Sequence, residues 1–235
     1  MSIAMLIAVP ASAQEGAPPE PTRVELTAED GLVLIGDFYT SASNQPQPAL
    51  LLMHMYNGKR QDWQEWIAPL TAAGYNVLTV DLRGFGESGQ RTNWELAQTD
   101  TQDWLDWLAE QTAVQEDRIG IIGASIGANL ALVGCANNEA CRTAVALSPG
   151  ENYYDVEPMA SIEAMGRRSI LLVAAQLDRE SATAVRAFDD GASSRTSVGL
   201  VLFSGTGHGT DLIRTKTILT PFVIDWLAQV LAVRS

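Results

Sequence analysis

The sequence predicts an α/β fold with a mostly parallel central sheet and helices on both of its faces. Three observations predict it. Short continuous apolar runs such as Ala49 to His54, Asn76 to Asp81 and Ser169 to Ala175 recur along the chain, which is how strands covered on both faces read. Segments of helical period alternate with them, carrying Trp63, Trp66, Ile67 and Leu70, or Trp104, Leu105, Trp107 and Leu108. At Ile119 to Leu132 a strand-like run passes directly into a helix-like run, with Ser125 between small residues at the junction.

With 235 residues and 46% hydrophobic side chains, one domain with a sizeable core is expected. A formal charge of -13, with only Lys59 and Lys216 as lysines, leaves no basic stripe to neutralise phosphates. That argues against nucleic acid and anionic membranes as partners. Residues 1–13 combine the apolar run Ile3 to Val9 with Ala11-Ser12-Ala13 and read as a secretory signal, although no basic region precedes the run. Residues 14–22 then form an extended leader, and 23–235 the single domain. Export to the periplasm or beyond is the expected localisation. In such an oxidising compartment Cys135 and Cys141, six apart at a predicted helix end, are expected to form a disulfide.

Taken in order, Arg23 to Ala28 and Leu32 to Thr40 are β-rich runs joined through Asp30-Gly31, a hairpin signal. The strand Ala49 to His54 ends in the loop His54-Met55-Tyr56-Asn57-Gly58, and the helix after it is stopped by Gly74. Strand Asn76 to Asp81 leads into the turn-rich Leu82 to Gly89. A helix is expected over Asp103 to Val114, then strand Arg118 to Ile122. Beyond the Ser125 junction follow strands Thr143 to Leu147, Ser169 to Ala175 and Val198 to Phe203, and helices Ser181 to Phe188 and Leu219 to Leu231. Ligands in such sheets bind at the carboxyl ends of the strands. The loops there carry nearly every reactive side chain of the chain.

Gly123-Ala124-Ser125-Ile126-Gly127 reads as a nucleophile elbow, because turning a strand into a helix within a few residues needs strained backbone and close-packed glycines. A serine hydroxyl needs a base to take its proton, and the chain offers only His54 and His208. His208 follows the last strand and takes that role, whereas His54 orients its own loop. Asp178, after strand Ser169 to Ala175, is the expected acid partner, with Glu151 as the fallback. The oxyanion donors are expected to be the amide of Ile126 and that of Met55, or Tyr56 beside it. Asp81 and Arg83 are expected to brace their turn. Two isolated histidines and two close cysteines make no metal ligand set, and no cofactor is implied.

These segments together resemble the α/β-hydrolases, and most closely the small dienelactone-hydrolase-like and esterase or serine-aminopeptidase-like members. The resemblance runs from about residue 24 to 231. It implies an α/β-hydrolase fold. With only Ser148 to Arg168 between two strands where many members insert a lid, no large lid domain and an open site are expected. Tyr56, Trp94, Tyr153 and Tyr154 are placed in loops that wall this site as substrate contacts. Two departures stand out. Relatives often show His-Gly where this chain has His54-Met55, and dienelactone hydrolases proper carry cysteine where this chain has Ser125. The implied activity is cleavage of small, short-acyl carboxylic esters through an acyl-enzyme. Peptidase, thioesterase, lactonase and acyltransferase activities use the same residues, and a non-catalytic binding protein of this fold is the remaining alternative.

Overall fold

The structure is a computed structural model and describes residues 18–89 and 91–232. The expected signal segment and most of the leader lie outside the described residues. Among the described residues eight strands form one sheet: β1 (Thr22–Thr27), β2 (Val33–Tyr39), β3 (Gln47–Met53), β4 (Asn76–Val80), β5 (Val114–Ala124), β6 (Cys141–Leu147), β7 (Ser169–Ala175) and β8 (Ser197–Phe203). Their order is β1-β2-β4-β3-β5-β6-β7-β8. Only β2 runs against its neighbours, and β3 to β8 are parallel.

Among the described residues seven α-helices cover the sheet: α1 (Gln64–Ala72), α2 (Trp94–Ala109), α3 (Ile126–Asn137), α4 (Met159–Ala164), α5 (Arg179–Gly191), α6 (Asp211–Thr215) and α7 (Leu219–Val230). The period-2 alternation of the strands divides the core into two layers. Leu51, Met53, Ile121, Ala146 and Leu172 point toward α2, α3, α4 and α5. Leu50, Leu52, Ile122, Val145 and Val173 point toward α1, α6 and α7. This is the α/β-hydrolase architecture. Between β6 and β7 lie only α4 and a tight turn, so no large lid covers the strand ends.

One helix departs from expectation. Asp103 to Val114 was the expected span, yet α2 begins at Trp94, where the Asn93 side chain accepts the Leu96 N–H at 3.0 Å and caps the first turn. Its first half turns Ala97, Asp100 and Thr101 inward. Small and polar inward residues give no apolar period to read. Trp94 accordingly opens a helix rather than sitting in a loop. At the other end, Val114 begins β5.

Two buried arginines brace the loops at the site's edge. Arg60 joins Asp37, Asp81 and Glu87, and Arg83 joins Asp100 and Asp30. Burial alone would lower the Arg60 pKa, but hydrogen bonds to Glu87 and Asp37 outweigh it and hold the guanidinium firmly charged. Asp81 and Arg83 thus brace their turn, as the sequence suggests. Cys135 and Cys141 are joined by a disulfide that ties the end of α3 to the start of β6. Among the described residues no helix is long and apolar enough to cross a membrane.

Candidate active site

Ser125 sits between β5 and α3 with φ 54° and ψ -120°, a region that costs a side-chain-bearing residue on the order of 1–3 kcal/mol unless the surroundings enforce it. They do so here. The Ser125 N–H donates to Leu147 O of β6 at 2.8 Å, and a Cβ on Gly123 would overlap the Gly127 carbonyl. Gly127 in turn packs on the backbone carbonyls of Met53 and His54, so α3 lies directly against the end of β3. The glycine pair reads correctly from sequence because each position is too close to backbone for any side chain.

His208 follows β8 in a loop with Gly205, Gly207 and Gly209 all at positive φ. Its Nε2 lies 2.8 Å from Ser125 Oγ, and its Nδ1 lies 2.7 Å from Asp178 Oδ2. Asp178 immediately precedes α5 without capping it through its side chain. It is committed to the imidazole instead. Glu151, the fallback acid, is exposed on the β6–α4 segment, and the His208 Nδ1 is already engaged by Asp178. The structure therefore brings Ser125, His208 and Asp178 into one hydrogen-bonded line.

The amides of Ile126 and Met55 face no protein acceptor among the described residues. The Ile126 N–H opens α3, where the aligned helix dipole favours negative charge. Met55 is held from both sides: its carbonyl accepts the Gly58 N–H at 2.9 Å, and the Thr210 hydroxyl donates to its sulfur at 3.7 Å. Its side chain thereby joins this loop to the one carrying His208.

His54 is buried behind the loop. Nδ1 donates to Met55 O at 2.7 Å, and Nε2 accepts the Leu82 N–H at 2.9 Å, which requires the neutral ring. Burial pushes its pKa below the usual value, with the Met55 carbonyl pulling the other way. It orients its own loop, as expected, and also the one that begins at Leu82.

Aromatic side chains gather beside His208 and around the loop that carries Met55. Tyr153 and Tyr154 lie in the tight turn Tyr153 to Val156, with Tyr154 at φ 54° and Asp155 at φ 66°, the positive pair of a type I′ turn. Tyr153 presses its ring on Gly150, meets His208 edge-on at 6.4 Å and places its hydroxyl 3.4 Å from Ser181 Oγ. Burial raises its pKa, and the hydroxyls of Ser181 and Ser125 act in the opposite direction. Tyr154 stacks on Tyr56 at 5.2 Å and on Trp94 at 5.1 Å, with Phe85 edge-on to Tyr56.

One residue of this arrangement escapes the sequence. Asn129, fully buried one turn into α3, accepts the Gly150 N–H at 3.0 Å and donates to Gly150 O at 2.9 Å and Val156 O at 2.8 Å. It pins both ends of the segment that carries the two tyrosines. A lone polar residue among Ile126 to Val133 was the only available signal. Among the described residues no group of three or more His, Cys, Asp or Glu gathers as a metal site.

Comparison with known proteins bears on the family and the fold. Residues 30–196 match the family model described as X-Pro dipeptidyl-peptidase (S15 family). The uncharacterized protein YfhR of Salmonella typhi is 30% identical over 129 residues, covering 51% of this chain and 44% of that protein. The chain thus spans less than half the length of this relative. Among solved structures, the Pyrococcus furiosus esterase Pf2001 superposes with a TM-score of 0.78 at 21% identity, over 91% of this chain and 93% of that one. Acetyl xylan esterase 1 from a Thermoanaerobacterium species gives 0.75 at 16% identity, over 92% and 86%.

Proposed function

The chain belongs to the X-Pro dipeptidyl-peptidase (S15) family, and from that premise we propose that it is a serine hydrolase that cleaves small carboxylic esters through an acyl-enzyme. The observation that carries the reading is the line Asp178–His208–Ser125, with contacts of 2.7 and 2.8 Å. His208 takes the Ser125 proton as the hydroxyl attacks the ester carbonyl, and Asp178 holds the ring so that Nε2 faces the serine. The amides of Ile126 and Met55 receive the oxyanion. His208 then returns the proton to the leaving alcohol, and a water activated by the same ring releases the acid. Tyr56, Trp94 and Tyr153 form the wall against which the substrate packs.

The absence of a lid between β6 and β7 supports short acyl groups, and the esterases among the structural neighbours favour an ester over an amide. The disulfide supports an oxidising, exported location. Cleavage of peptides after proline is the second reading, favoured by the family description.

The test measures p-nitrophenyl esters from acetate to palmitate beside Xaa-Pro p-nitroanilides, with wild type, Ser125→Ala and His208→Ala. Short esters hydrolysed by wild type and lost about 10³-fold or more in both variants support the esterase. Turnover of the anilides alone installs the peptidase, and turnover of neither, with no labelling by a fluorophosphonate, sinks both.

A further inference from the structure

The edge of the sheet opposite Ser125 holds a second candidate site. There the amino ends of the adjacent parallel strands β5, β6 and β7 and the last residues of α7 enclose an open cleft of about 520 Å³. Arg118, Arg142 and Arg167 line it: Arg118 just before the part of β5 that pairs with β6, Arg142 at the start of β6 and Arg167 just before β7. In a chain of net charge -13 with 15 basic residues in all, three guanidinium groups on one cleft wall are a local inversion of sign. Among the described residues no carboxylate answers their charges, although Asp117 shares the cleft.

Their hydrogen bonds go to neutral acceptors instead. Arg118 Nη1 donates to Gln115 Oε1 at 2.8 Å, and Arg142 Nε donates to Asp117 O at 2.8 Å. These contacts orient two forks and leave donors unspent. Arg118 Nη2 is buried and meets no hydrogen-bond partner among the described residues. A buried, unanswered donor on a permanently charged group is costly unless something outside the chain meets it. Guanidinium groups fit the paired oxygens of carboxylates and phosphates.

We propose that this cleft binds a small oxyanion, a phosphate or carboxylate group of a soluble ligand, through Arg118, Arg142 and Arg167. The site is independent of the hydrolytic one, since its residues lie at the opposite ends of the strands. A purely structural reading also exists: the arginines could serve only to complement the negative carboxyl end of α7.

Isothermal titration of the full chain at fixed ionic strength separates the two. Inorganic phosphate and succinate are titrated in separate arms, with chloride as the balancing salt. Saturable binding in either arm, weakened ten-fold or more in Arg118→Gln and in Arg142→Gln while ester turnover stays at the wild-type rate, supports the site and tells which oxyanion it prefers. Should Arg118→Gln fail to fold, Arg142→Gln and Arg167→Gln carry the same readout from more exposed positions. No saturable heat in either arm, or binding that is unchanged in the variants, overturns the proposal. In the structural case the variants lower the melting temperature equally with and without the anions.

Discussion

Asn129 grips Gly150 from both sides, accepting its N–H at 3.0 Å and donating to its carbonyl at 2.9 Å. This pair couples the elbow helix to the tyrosine turn, so the wall of the site is set by the same element that presents Ser125. Asn129→Leu is close in volume and leaves Gly150 N–H, Gly150 O and Val156 O without their partner. We expect a stability loss of about 2–4 kcal/mol in urea unfolding, the size of a few orphaned buried groups. KM for short esters should rise as Tyr153 and Tyr154 lose their fixed position. An unchanged KM in a folded variant would show that the turn is held by the aromatic stack alone.

Gly127→Ala tests how closely α3 must approach β3. The new Cβ would meet the carbonyls of Met53 and His54, pushing the Ile126 amide away from that of Met55. A fall of about 10²-fold in kcat/KM is expected, the cost of one misplaced oxyanion donor, with a stability loss of about 1–3 kcal/mol from overpacking. Steady-state kinetics beside thermal unfolding separates the two effects.

His54 makes stability depend on pH. Its pKa is depressed in the folded protein by burial, so the unfolded chain binds a proton there before the folded one does. The contribution is therefore complete above about pH 6.5, the unperturbed imidazole value, and declines as the pH falls through it. Urea midpoints measured from pH 7.5 to 5 should drop more steeply in wild type than in His54→Gln, whose amide can still accept the Leu82 N–H but does not titrate. Parallel curves would assign the acid sensitivity elsewhere.

The Cys135–Cys141 bond closes a short loop, with a sequence separation of 6. By chain-entropy reasoning it contributes about 2 kcal/mol. Cys135→Ser with Cys141→Ser should lower the melting temperature by about 4–8 °C in a domain of this size. Ester turnover at 25 °C should be unaffected, because the bond lies at the far end of α3 from Ser125.

The strands were legible because both of their faces are covered, so β3, β4 and β7 read as unbroken apolar runs. The meeting of Ser125 and His208 was legible because the glycines around them are demanded by backbone, not by side chains. Asp178 needed only its place after β7. The first half of α2 was hidden, since Ala97, Asp100 and Thr101 face the core where a pattern search looks for leucines. Asp100 is tolerated there because Arg83 meets it, a partner 17 residues away that no local reading supplies. Asn129 was hidden for the same reason, as its partners lie 21 and 27 residues on.

The register of Met53 beside Gly123 places the two proposed oxyanion donors, Met55 and Ile126, just past the ends of neighbouring central strands. His208, by contrast, hangs from β8, an edge strand with no fully buried residue. Opening free energies differ across a fold, lowest at thinly packed edges and highest in the central sheet. The proposed base therefore belongs to a part expected to fray early, and the proposed oxyanion donors to a part expected to open only when the whole molecule does. On gradual warming, amides around β8 should exchange with solvent well before those of β3 and β5. The protein would then lose proton transfer while its pocket for the oxyanion was still standing, so inactivation should precede the calorimetric transition.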